Sequence, residues 1–363
     1  MIRNQKKYSC SFVASILIIL VSCTDAARTF SETNDDVGQP VVFIATIGSQ
    51  SRVNASDLMS EFYVSAFSGR SNRGSNIKYS WTGSEWISNR SINWPQGDIS
   101  FWGLSRSFAD GNGISNSSIR YNDQHFNYTV DPDTAKILYF ASKLNTNVNE
   151  LGGSVHLEFN NALAIPYFTC LQAIDDVQIN IKEVIVHNLQ TTGTFKFDAN
   201  TNSKATWTLV DSLYADYKQV LPSPVTLNPD QTTAVKITDP WIWMCQRPTK
   251  WATKDVEPVT IQTADSLHQC YVEIKCQIIK NGVYIWGAAS GANQYESVYY
   301  PFNTNFRAMG YARPIQLTFT GGYLSDGTPF KPHAGNVITI AQWVPLDVLV
   351  DPWEEMDPED MEF

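Results

Sequence analysis

Apolar residues along this chain fall into short runs separated by polar clusters, and within the runs the alternation has period two rather than 3.6. The most regular pair lies near the start. Residues 41–47 and 62–67 are rich in Val, Ile, Phe and Tyr, and the polar stretch between them carries a single basic residue, Arg52. Runs of this kind, bounded by Gly, Ser, Asn and Asp, predict a strand, a loop and a second strand within residues 40–67. Period two places Val41, Phe43, Ala45 and Ile47 on one face of the first strand, with Val42 and Ile44 on the other.

Similar runs recur at 77–81, 99–104, 137–141, 155–159, 164–170, 177–187 and 194–197. They continue at 206–209, 235–237, 271–279, 297–301, 314–320 and 337–350. Turn signals separate them, among them Gly111-Asn112-Gly113, Gly152-Gly153, Asn281-Gly282 and Gly321-Gly322. Asn281-Gly282 suits a two-residue hairpin, because both residues tolerate positive φ. Only 133–144 and 207–217 leave room for a short helix or turn. The pattern predicts an all-β chain built of two sandwiches in tandem, 38–183 and 184–350.

The first 22 residues read as a targeting segment rather than part of the fold. Arg3, Lys6 and Lys7 form a basic start, and the apolar stretch 11–21 is too short to span a bilayer stably as a helix. Leu20-Val21-Ser22-Cys23 resembles a bacterial lipobox, which implies cleavage before Cys23, lipidation of that cysteine and membrane attachment through lipid. Residues 23–37 are polar and suit a tether.

Net charge is −10 and charged residues make up only 17% of the chain, with no Lys/Arg cluster, which excludes nucleic acid as a partner. Besides Cys23, the cysteines that remain after such processing are Cys170, Cys245, Cys270 and Cys276. Cys270 and Cys276 share one predicted strand face about 20 Å apart and cannot pair with each other. Cys245 with either of them, or four free buried thiols, stays open. The five histidines show no metal-ligand spacing, and no nucleophile elbow, paired-cysteine motif or phosphate loop is present, so neither an enzyme nor a cofactor is expected. Trp241, Trp243 and Trp251 lie beside prolines and offer an alternative role, a monomeric glycan-binding surface lipoprotein with an exposed aromatic platform.

Near the C-terminus, Val344, Leu346, Val348 and Val350 alternate onto one face of a further strand. Residues 351–363 carry seven acidic residues in 13 positions and read as a solvated tail.

The order of motifs resembles the fimbrillin family. Ser91-Ile92-Asn93-Trp94-Pro95 with Ile99-Ser100-Phe101-Trp102-Gly103, then Asp133 through Ala141, then Ser154 through Leu163 are similar to successive fimbrillin segments. Asn161 stands where that family usually has His. The resemblance implies two transthyretin-like β-sandwiches and a pilus subunit that reaches the outer membrane as a lipoprotein. It further implies that an arginine-specific protease cuts between Arg52 and Val53 and so removes the strand bearing Val41, Phe43, Ala45 and Ile47. A donor strand from a neighbouring pilin, here the one bearing Val344, Leu346, Val348 and Val350, would fill the vacancy by β-augmentation. The partners it implies are other pilin subunits, the outer membrane and ligands on host or bacterial surfaces.

Overall fold

Period-two alternation sets the strands, and the partners each strand finds set the sheets. The computed structural model describes residues 36–48, 59–109, 111, 113–173, 176–210, 213–251, 260–302, 309, 312–319, 322–330 and 348–349. The chain opens with β1 (Asp36–Pro40), β2 (Val42–Ile47), β3 (Glu61–Ser68), β4 (Ser71–Trp81), β5 (Trp86–Ile87) and β6 (Asn93–Pro95). There follow β7 (Ile99–Leu104), β8 (Ile114–Arg120), β9 (Asp123–Thr129), β10 (Tyr139–Thr146), the single turn α1 (Val148–Leu151) and β11 (Ser154–Asn161).

Seven of these strands form one sheet in the order β2-β11-β10-β7-β3-β4-β5. The chain changes partners at Val41. β1 pairs antiparallel with β6, the Val41 N–H donates to the Ile92 carbonyl, and β2 then runs parallel to β11 from Val42↔Ser154 to Ile47↔Phe159. One face of the sheet encloses a core of Val41, Phe43, Phe62, Tyr79, Phe101 and Phe159 with their neighbours. Every residue of β7 is buried, as expected of a central strand covered on both faces.

The second half contains β12 (Ile165–Gln172), β13 (Gln178–Gln190), β14 (Thr192–Phe197), β15 (Ala205–Leu209), β16 (Tyr214–Leu227) and β17 (Val235–Lys236). After α2 (Ile261–Ser266) come β18 (Tyr271–Lys280), β19 (Val283–Trp286), β20 (Glu296–Pro301) and β21 (Ala312–Phe319). The short strands β22 (Gly322–Tyr323), β23 (Pro329–Phe330) and β24 (Val348–Leu349) complete it. One sheet runs β16-β13-β18-β20-β22-β23 with β19 hairpinned onto β18, and another runs β17-β12-β21-β24. The expected hairpin at Asn281-Gly282 is present, with both residues at positive φ (49° and 77°) and Lys280 opposite Val283.

A four-stranded sheet, β15-β14-β9-β8, spans both sides of residue 183. It takes two strands from each side of residue 183, and residue 183 itself lies inside β13. Phe140 of β10 meets Phe195 and Phe197 of β14 at 5.0 and 6.0 Å, so this sheet packs on the outer face of the first. The two halves share one continuous core. Neither stretch with room for a helix forms one: β10 occupies the end of the first, behind a turn at Asp131 to Ala135, and β15 and the start of β16 occupy the second.

A charged network crosses three neighbouring strands. His187 of β13 has Nδ1 at 2.9 Å from Asp216 of β16 and Nε2 at 2.9 Å from Glu273 of β18, while its ring stacks on Tyr271. Ser297 donates to Glu273, and Lys275 lies close enough to favour its carboxylate. Two carboxylate partners require both ring nitrogens to donate, which only the imidazolium can do. Burial alone would lower the His187 pKa, but the two carboxylates outweigh it and raise it to about 9.

Two measurements check this architecture. Phe43→Ala lowers the unfolding free energy by about 3–5 kcal/mol in denaturant titration, whereas Val42→Ser on the outer face of the same strand changes it by about 1 kcal/mol or less. The His187 pKa is higher folded than unfolded, so its stabilisation is complete below about pH 6.5 and is lost as pH rises through about 9. The loss amounts to at most about 3 kcal/mol, because the partly exposed Asp216 is screened by solvent. Thermal melts across this range give a steeper fall for the parent protein than for His187→Gln.

Candidate functional site

β2 is the first strand of its sheet, and among the described residues its one ladder partner there is β11. The sheet curls so that its two edge strands, β2 and β5, approach each other. On the inward side Phe43 stands edge-on to three rings from three other strands. Its centroid lies 4.8 Å from Tyr79 of β4, 5.4 Å from Phe101 of β7 and 6.2 Å from Phe62 of β3. Val41, Ala45 and Ile47 are buried beside it. On the outward side Val42 and Ile44 are 54% and 51% exposed. The inward face is worth roughly 5–10 kcal/mol of burial, and without it three aromatic faces and the edge of β11 would meet water.

The end of this groove is fixed at Gly153. Its carbonyl accepts from the Val42 N–H at 3.1 Å and from the Trp94 indole N–H at 3.2 Å. Its φ is +95°, a backbone conformation that residues with a Cβ rarely adopt, so the position favours glycine. Along the strand, Thr46 Oγ1 and His156 Nε2 are 2.8 Å apart across the β2–β11 pair.

The residues expected to act with this strand are placed unevenly. Val41, Phe43, Ala45 and Ile47 come together on its inward face. Cys23, Arg52, Val53, Val344, Leu346 and Val350 lie outside the described residues. Val348 belongs to β24, which pairs antiparallel with β21 through Gln316↔Leu349 and Leu317↔Val348 and occupies the edge of its own sheet.

The aromatic platform does not form. Trp243 and Trp251 are fully buried, and the half-buried Trp241 stacks on Trp243 and meets Phe168 edge-on. Cys170, Cys245, Cys270 and Cys276 are free and buried, which settles the open pairing in favour of thiols. Burial pushes the Cys170 and Cys245 thiols up to about 12, leaving them unreactive. His187 has both ring nitrogens committed to carboxylates and joins strands rather than serving a cleft. Among the described residues no three His, Cys, Asp or Glu side chains converge as a metal site. One feature escaped the sequence reading, a cleft lined by Arg70 and Arg120. Both arginines sit at hairpin turns, beside Gly69 and Tyr121-Asn122, and that placement is the signal in the sequence.

No protein-family model matches this sequence, and neither does any curated protein. Among solved structures, the chain is similar to a fimbrial protein from Bacteroides vulgatus with a TM-score of 0.53 at 12% identity, covering 77% of this chain and 94% of that one. A fimbrilin from Porphyromonas gingivalis is 11% identical, covers 79% of this chain and 91% of that one, and superposes more loosely at a TM-score of 0.38. The assignment of fold rests on the first. This chain has the all-β sandwich fold of a bacterial fimbrial protein.

Proposed function

We propose that the chain is a structural or adhesive subunit of a bacterial surface pilus of the fimbrillin type, without catalytic activity. It is exported as a lipoprotein through Cys23 to the outer membrane and is assembled with other pilins at the cell surface. The observation that carries this reading is β2, an edge strand that with the preceding Val41 presents four inward apolar residues and has a half-exposed apolar back.

Cleavage between Arg52 and Val53 would separate residues up to 52 from β3. With them would go both β1 and β2, uncovering β11 and the Phe62, Tyr79 and Phe101 faces. Val344, Leu346, Val348 and Val350 match the vacated positions in number and period, and exchange would give β11 a new ladder partner, antiparallel where β2 is parallel. Among the described residues, β24 pairs with β21 through Val348 and Leu349. Pro345 removes one ladder donor, which an edge strand tolerates.

Limited trypsin treatment of the purified precursor tests this reading. A single early cut after Arg52 followed by oligomers is the expected outcome, with Arg52→Ala remaining uncut at that site and monomeric. Many cuts at equal rate, or a clean cut with no assembly, would count against polymerisation. In cells, Cys23→Ser abolishes incorporation of labelled palmitate and releases the protein from the membrane fraction; retention of label would overturn the lipoprotein assignment.

A further inference from the structure

The turn between β3 and β4 and the tip of the β8–β9 hairpin enclose a cleft of about 520 Å³. Its apolar wall is Phe67 and Ile119, its rim carries Tyr121, 43% exposed, and two guanidiniums, Arg70 and Arg120, line it from opposite hairpins. Among the described residues no carboxylate lies within 4.0 Å of either guanidinium. The nearby acids are committed elsewhere: Asp123 to His125 and Ser118, and Asp98 to Asn147. Two unpaired cations beside apolar and aromatic surface, on a chain of net charge −10, make a receptor for an acidic segment that also carries an aromatic side chain.

We propose that this cleft receives residues 351–363 of a second copy of the chain. That segment contains seven carboxylates in 13 residues and sets Trp353 directly before Glu354 and Glu355. The hairpin tip lies far from the same chain's β13, because β14 starts just after β13 and pairs Thr192 with Thr129 but Lys196 with His125. The tip at residues 120–123 is therefore the remote end of that sheet.

The route of arrival rests on the strand exchange proposed above. A donor seated antiparallel to β11, with Val350 beside Ser154, delivers residue 351 to the end of the sheet marked by Gly153. From there α1, the Asn147–Asp98 bond and the Ser68–Asp98 bond lead along the same end to the cleft. The lateral distance is four strand spacings, about 19 Å, and 13 extended residues span about 43 Å. Exposed ion pairs are individually weak and screened by salt, so the free segment binds modestly and tethering raises its effective concentration.

A fluorescein-labelled peptide of residues 351–363, titrated by anisotropy into uncut full-length protein carrying Arg52→Ala, tests the contact without requiring assembly. Saturable binding is expected, weakening about fivefold between about 0.02 and 0.3 M NaCl and about tenfold in a folded Arg70→Glu/Arg120→Glu variant. A peptide with Glu354→Lys and Glu355→Lys should regain affinity for that variant. No binding, or equal binding to parent and variant, overturns the proposal. So does binding of an acidic oligosaccharide such as oligogalacturonate where the peptide is inert, which would assign the cleft to a glycan. Strand exchange failing in the trypsin experiment leaves this titration readable, and the converse also holds.

Discussion

The wedge of Phe43 among Tyr79, Phe101 and Phe62 is the contact on which the first half of the molecule depends. A seven-stranded sheet that curls until its edges approach has an interior only if something fills the seam. β2 and the preceding Val41 fill it with four side chains, while among the described residues β2 has one ladder partner. A strand so placed is indispensable to the core and weakly attached to the ladder. Those two properties seldom coincide, because an edge strand usually contributes little to a core and a central one cannot leave without breaking two ladders.

The rest of the fold keeps this seam from being a general weakness. The strands next to the groove, β7 and β10, have their other faces covered by the β15-β14-β9-β8 sheet, where Phe140 packs against Phe195 and Phe197. That sheet draws strands from both halves and fuses their cores. Vacating the groove therefore leaves a wall supported from behind by the second half. In the second half, the His187 network spans β16, β13 and β18 with groups that need one another to remain charged, so it fixes strand alignment more than it drives collapse.

Period two made the inward face of β2 legible, because Val41, Phe43, Ala45 and Ile47 alternate without interruption and the burial follows them residue for residue. The all-β class was legible for the same reason. The four-stranded sheet was not, since nothing local to residues 192–196 says that they pair with β9, whose nearest partner residue is over sixty positions away. The burial of Trp243 and Trp251 was equally hidden. A tryptophan beside a proline looks the same whether its ring faces water or Phe168, and only the third dimension distinguishes them. His187 looked like an ordinary strand residue because its two acids come from other strands, 29 and 86 residues distant. The arginine cleft joins two turns that are unremarkable separately.

The parallel register of β2 on β11 also has a bearing on time. Thr46 and its partner His156 are 110 residues apart along the chain, and every rung of that ladder closes a loop of similar length. Such contacts form late, after the hairpins β3–β4 and β8–β9, whose partners are neighbours in sequence. The strand that emerges first is thus among the last to find its place. Until it does, the aromatic seam stands open in a protein that is otherwise nearly folded, and its uncovered rings and unpaired strand edge are exposed to water.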